Sequence, residues 1–180
     1  MSRSEHIRLM ATYNEWMNAK LYAAAKTLPV EEIAADRKAF FGSILGTLNH
    51  LVVADTIWLK RFATHPAHYQ ALEPMHAEPM PSTHLDPLPF GDLESLSERR
   101  LRLDALILGW AEAVEDRDFD HVLCYTSTRG VPYRTRFFDV VMHFFNHQTH
   151  HRGQTSTLFS QAGVDIGVTD LLVIVPNDAA

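Results

Sequence analysis

The sequence has little cysteine and no excess of basic charge. Cys124 is the single cysteine among 180 residues, which excludes an intramolecular disulfide, a Cys-x-x-Cys redox pair and a cysteine-based zinc cage. The 16 Lys and Arg residues are outnumbered by 22 Asp and Glu residues, for a formal net charge of −6. This balance disfavours non-specific binding to nucleic acid or to an anionic membrane surface.

Long apolar runs are missing as well. The longest aliphatic stretch, Leu171 to Val175, is far shorter than the roughly 20 residues of a membrane helix. The N-terminus lacks the apolar segment of a signal peptide, so we expect a cytoplasmic protein. A chain of this length, with 46% hydrophobic and 21% charged residues, fits a single globular domain over residues 1–180.

Apolar residues recur at helical spacing in four long segments. Ser2 and Glu5 have the spacing of a capping box, Ser43 and Asp92 are candidate N-caps, and Gly163 is expected to end the last helix. The predicted helices run from Ser2 to Leu28, from Ser43 to about Thr64, from Asp92 to Val114 and from about Phe137 to Ala162.

The connection between the second and third helices holds six prolines within residues 66–90 and no sustained periodicity. We expect an extended loop there, which crosses the molecule or carries function, for example by capping a pocket. Residues 121–134 predict a short irregular hairpin, and residues 171–176 predict an extended tail packed on the helices. The pattern therefore favours an all-α four-helix bundle with a long crossover loop between helices two and three.

Histidine is abundant, with 11 in the chain and four within residues 143–151. His143, His147 and His151 follow at i, i+4 and i+8, so they lie along one narrow stripe of the fourth helix. An i, i+4 pair lets two imidazoles meet one divalent metal. The alternative is a helix face whose histidines hydrogen-bond each other, water or a buried carboxylate.

A third metal ligand has to come from another helix. His50 is the internal histidine of the second helix, and small neighbours, including Gly46, Thr47 and Ala54, are expected to leave room beside it. Alone, His50 is more often a satisfied core histidine than a ligand. Beside the stripe of the fourth helix it becomes the natural third ligand.

Two stretches of the chain resemble the DinB (damage-inducible) family. Residues 144–154, FFNHQTHHRGQ, resemble the family's C-terminal signature N-H-x-x-x-H-R-G-Q, and residues 43–55 resemble its other motif block. The resemblance implies a four-helix bundle in which His50, His147 and His151 bind a divalent metal, usually zinc or nickel. Characterised relatives include transferases and isomerases that use a low-molecular-weight thiol, and homodimers are common among them.

Neighbouring residues leave alternatives open. His143 either lines the pocket, where it could act as a proton shuttle, or is a partly buried histidine beyond the site. Gln154 is nearly in line with His147 and either contacts a bound ligand or lies behind a metal ligand. Cys124 is an inert small hydrophobe or a thiol near the pocket.

Other polar residues are predicted to have structural roles. Arg152 points away from His147 and is expected to pair with a carboxylate between helices, and Asp55 to anchor Arg152 or another buried donor. Four histidines of the connecting loop show no ligand spacing and are expected to be solvated: His65, His68, His76 and His84.

The leading hypothesis is a metal-dependent enzyme that activates water or a small thiol for attack on a small electrophilic substrate. Three imidazoles leave an ion of the zinc type at least one open position, as catalytic sites do. The alternative is a non-catalytic metal-binding stress-response bundle that acts through dimer contacts. Nucleic acid and membranes are not expected partners.

Overall fold

The computed structural model describes residues 1–81 and 88–177. Most of the chain is helical, and four helices are long. The predicted N-caps are confirmed: the side chains of Ser2, Ser43 and Asp92 each accept a hydrogen bond from the backbone N–H three residues further on. The helices are α1 (Arg3–Ala25), α2 (Val30–Ala34), α3 (Ile44–Phe62), α4 (Pro74–Ala77), α5 (Leu93–Ala113) and α6 (Phe137–Gln161).

The four long helices share one core. α1 packs against α5 and α6, and α3 packs against the same two helices. Large side chains meet between them and are almost completely buried, among them Leu21, Phe62, Trp110 and Phe144. Burial of this apolar surface is the main force that holds the helices together.

A small sheet accompanies the helices. Strand β1 (Val122–Thr126) pairs antiparallel with β2 (Pro132–Arg136), and β2 leads directly into α6. The predicted hairpin is therefore confirmed. No helix in the described part of the chain is long and apolar enough to cross a membrane.

Two predictions for irregular segments were wrong. Within residues 66–81 the chain forms a 3-10 turn (Gln70–Leu72) followed by α4, and Leu72 and Met75 are fully buried. The reason is that Pro74 occupies the first turn of a helix, which proline favours. The tail forms another 3-10 turn (Leu171–Val173), and Leu172 is 79% exposed. Residues 82–87, with His84, lie outside the described residues.

A buried polar network links α3, α5 and α6. The Oδ2 atom of Asp55 accepts hydrogen bonds from Arg100 at 2.5 Å and from Gln148 at 3.0 Å, so Asp55 does anchor buried donors. Arg152 instead donates to the amide oxygen of Asn14. The predicted pairing of Arg152 with a carboxylate was wrong, because Arg100 forms the ion pair with Asp55.

Candidate metal centre

Three histidines from two helices meet at one point. The Nε2 atom of His50 on α3 lies 3.2 Å from the Nε2 atoms of both His147 and His151 on α6. The three side chains form a group that could hold a metal ion, with ligand atoms all within 4.8 Å of one another. The structure thus brings together the three ligands that the sequence predicted, and they are partly or wholly buried.

The spacing of these nitrogen atoms suits a tetrahedral ion. With metal–nitrogen bonds of 2.0–2.1 Å, two ligand atoms of a tetrahedral site lie about 3.3 Å apart. The two distances from His50 are close to this value. No other histidine, cysteine or acidic side chain among the described residues belongs to the group, so a bound ion would keep an open position.

The electrostatics of the cluster also fit a cation. Burial, assisted by the neighbouring imidazoles, lowers the pKa of His50 to about 4 and that of His147 to about 3. Both rings are therefore neutral at pH 7, and a neutral imidazole has the lone pair that a metal needs. Burial lowers the pKa of His151 as well.

Gln154 resolves one of the open alternatives. Its Oε1 atom lies 2.7 Å from Nδ1 of His151. Because an amide oxygen can only accept, Nδ1 carries the proton, and Nε2 of His151 presents its lone pair to the cluster. Gln154 therefore lies behind a candidate ligand and orients it, as partners of metal-binding histidines commonly do.

Phe41 covers the cluster, and sequence reasoning missed it. Its ring stacks on His50 with centroids 3.9 Å apart and meets His151 edge to face at 5.3 Å. The close approach depends on Gly46, because a Cβ atom there would lie 2.0 Å from the carbonyl oxygen of Phe41. Gly46 thus makes room for the backbone of Phe41 and not for a cavity. Thr47 does not leave room beside His50 either, because it is buried and its hydroxyl donates to the carbonyl oxygen of Ser43.

A cavity of about 590 Å³ opens beside His50. It is lined by the side of α3 that follows His50, with Ala54 as predicted, by the first turns of α6, by the hairpin and by the segment before α3. Residues 66–81 and 88–90, the described residues of the connecting segment, do not line it and therefore do not form the expected cap. Lining residues include Phe40, Phe41, Val53, Ala54, Ile57, Trp58, Arg61, Tyr125, Tyr133, Thr135, Asp139 and His143.

His143 belongs to this cavity. Its ring meets Trp58 edge to face at 5.3 Å and lies 5.8 Å from the ring of His147. Trp58 and Arg61 follow His50 at eight and eleven residues, which is helical spacing on the same side of α3. That spacing is a signal that could have identified both residues as cavity residues from the sequence.

Two other sequence expectations have clear outcomes. His65 is not solvated: it is 2% exposed, its Nε2 lies 3.2 Å from the carbonyl oxygen of Asp118, and its Nδ1 accepts from the N–H of Ala67. His68 and His76 are exposed as predicted. Cys124 is exposed on β1 and does not line the cavity.

Comparison with known proteins identifies the family. The family model described as DinB family matches residues 1–175. A curated relative, Protein DinB of Bacillus subtilis (strain 168), is 24% identical over 158 residues, which cover 88% of this chain and 87% of the relative. No solved structure gives a significant match. Because the family model covers nearly the whole sequence, the chain belongs to the DinB family.

Proposed function

We propose that this protein is a metal-dependent enzyme that activates water or a low-molecular-weight thiol for attack on a small electrophilic substrate. His50, His147 and His151 would hold the ion, which would be zinc or nickel as the family resemblance implies; both metals accept imidazole ligands. The observation that carries the proposal is the convergence of three Nε2 atoms next to a cavity, without a fourth side-chain ligand among the described residues. When bound, such an ion lowers the pKa of water or a thiol toward neutral pH.

The protein's own residues would prepare this site in four ways. Gln154 fixes the ring of His151, and Phe41 shields His50 from solvent on one side. The aromatic walls of the cavity exclude water from an apolar substrate. His143, at the cavity wall, is placed to exchange a proton with a bound molecule, which is the more specific of its two predicted roles.

We place this site in a single-domain four-helix bundle. α1, α3, α5 and α6 would be its helices, and the long connection between α3 and α5 would join two helices that pack against each other. Ligands on facing helices around a shared core are typical of metal sites in such bundles. The homodimer that the family resemblance implies stays a prediction.

Metal analysis tests the ligand assignment. The untagged protein should contain one equivalent of divalent metal after purification, and His147→Ala should lose it while keeping its helical circular dichroism. His150→Ala is the matched control, because His150 is an exposed histidine of the same helix outside the group. Stoichiometric metal in both His147→Ala and His50→Ala would show that the assignment is wrong.

Activity is tested by screening thiol and electrophile pairs with the metal-loaded and the chelated protein. Turnover should require metal, and its pH profile should shift when zinc is exchanged for nickel, because the ion sets the pKa of the bound nucleophile. Tight metal binding without turnover, combined with a loss of thermal stability on chelation, would favour the non-catalytic metal-binding bundle instead.

A further inference from the structure

Arg61 places a positive charge in the wall of the cavity. Its guanidinium lies 4.4 Å from the ring centroid of Trp58 and 4.8 Å from that of Tyr125, and its Nη2 donates to the carbonyl oxygen of Thr126 at 2.9 Å. These contacts hold the guanidinium against two aromatic rings, which themselves meet edge to face with centroids 5.4 Å apart. They use one of its five N–H donors, and the residue lines the cavity.

The charge of Arg61 has no counter-ion in the described residues. No carboxylate among them lies within 4.0 Å of its nitrogen atoms. Asp139 lines the same cavity, but its carboxylate pairs with Arg136 at 3.2 Å. Burial lowers the pKa of Arg61 and also that of His143, so at neutral pH the arginine stays charged and the histidine is neutral.

We propose that Arg61 binds a carboxylate group of the small molecule that occupies this cavity. A partly desolvated guanidinium with free donors is matched best by a planar anion that accepts two parallel hydrogen bonds. One uncompensated positive charge suits a monoanion better than a phosphate dianion. The substrate class is therefore a small carboxylic acid with an apolar body that packs against Trp58 and Tyr125.

The position of Arg61 along α3 also indicates where in the cavity the carboxylate would bind. Arg61 follows His50 by eleven residues, a rise of about 16 Å along α3. The guanidinium lies somewhat nearer than this, because long side chains of a helix lean toward its N-terminus. The carboxylate would therefore bind at the end of the cavity away from His50. The further step, in which the other end of the molecule reacts beside His50, rests on the proposed function.

Ligand binding to the chelated protein tests Arg61 without relying on metal. The probes are 3-phenylpropionate and its uncharged amide, titrated into protein in excess EDTA and followed by calorimetry. The wild type should bind the carboxylate roughly tenfold more tightly than the amide, since a charged hydrogen bond contributes about that factor. Arg61→Gln should abolish the preference and Arg61→Lys should reduce it, because lysine keeps the charge but not the fork.

Arg102→Gln is the matched control, because it removes the same charge from an exposed position on α5 outside the cavity. It should keep the full preference. The proposal is overturned if neither probe binds the wild type, if both bind equally, or if Arg61→Gln keeps the preference. It is also overturned if the preference needs zinc and disappears on chelation, because the metal would then be the carboxylate ligand. Failure of the proposed function would appear separately, as a lack of metal or turnover with the carboxylate preference intact.

Discussion

A pair of glycine substitutions tests how Phe41 is positioned over the candidate metal centre. Gly46 lies in the first turn of α3, and a Cβ atom there would lie 2.0 Å from the oxygen and 3.2 Å from the carbon of the Phe41 carbonyl. Gly153 lies inside α6, and a Cβ atom there would meet nothing within 4 Å. Replacing each glycine by alanine adds the same methyl group to a helix, but only at Gly46 must backbone move.

The two substitutions should change stability in opposite directions. Gly153→Ala should raise the free energy of unfolding by about 0.5–1 kcal/mol, because alanine loses less conformational entropy in a helix. Gly46→Ala gains little of this stabilisation in the first turn of a helix, and it must displace the Phe41 carbonyl oxygen by about 1.4 Å to reach an ordinary contact. Overpacking of this kind costs about 1–3 kcal/mol, so Gly46→Ala should be the less stable variant by at least 1 kcal/mol.

Urea unfolding in excess EDTA measures this difference without a contribution from metal. A second assay measures zinc affinity at the candidate metal centre by competition with a chelator. Because Phe41 stacks on His50 at 3.9 Å, its displacement in Gly46→Ala should weaken zinc binding, while Gly153→Ala should bind zinc like the wild type. Equal stability and equal zinc affinity of the two variants would refute the assigned role of Gly46.

Three further outcomes are expected. Gln154→Ala should weaken zinc affinity 10- to 100-fold in chelator competition, because His151 loses the partner that orients it; unchanged affinity would contradict this role. Arg100→Met should lower the free energy of unfolding in urea by about 3–5 kcal/mol, because the buried carboxylates of Asp55 and Asp104 lose their positively charged partner. A decrease below 1 kcal/mol would argue against the network. Burial lowers the pKa of His65 below its usual 6.5, so the unfolded chain binds its proton first, and stability should fall as pH falls below about 6.5. In His65→Gln this pH dependence should be smaller, which urea unfolding at pH 7.5 and 5.5 would show.

The helices could be predicted closely because their ends are encoded locally. Ser2, Ser43 and Asp92 each combine a capping side chain with an apolar pattern that follows it, and all three N-caps are as predicted. The segment 66–81 was predicted less well. Its prolines were interpreted as helix breakers, whereas Pro74 begins a short helix whose Met75 is buried.

The candidate ligands were also accessible to sequence reasoning. The i, i+4 spacing limited the positions on the last helix to His143, His147 and His151, and the resemblance to the DinB family implied His147 and His151. Phe41 was not accessible, since its contact with His50 depends on how the segment before α3 folds back over the helix. The prediction that His65 is solvated was wrong for a related reason. Its solvent exposure depends on the stretch around Asp118, which is more than fifty residues away in the sequence and supplies the hydrogen-bond partner.

The candidate metal ligands and much of the cavity lining belong to different parts of the fold. His50, His147 and His151 stand on two long helices, and the same helices are tied together on their buried side by the bond between Asp55 and Gln148. The helix positions are therefore fixed by core contacts and not by what the cavity contains. Besides residues of α3 and α6 such as Arg61 and His143, the cavity is lined by the hairpin and by the segment before α3, where side chains are partly exposed. Substitutions in the hairpin can therefore change which molecule fits while His50, His147 and His151 stay in place, whereas a change at Phe41 also alters the contact with His50.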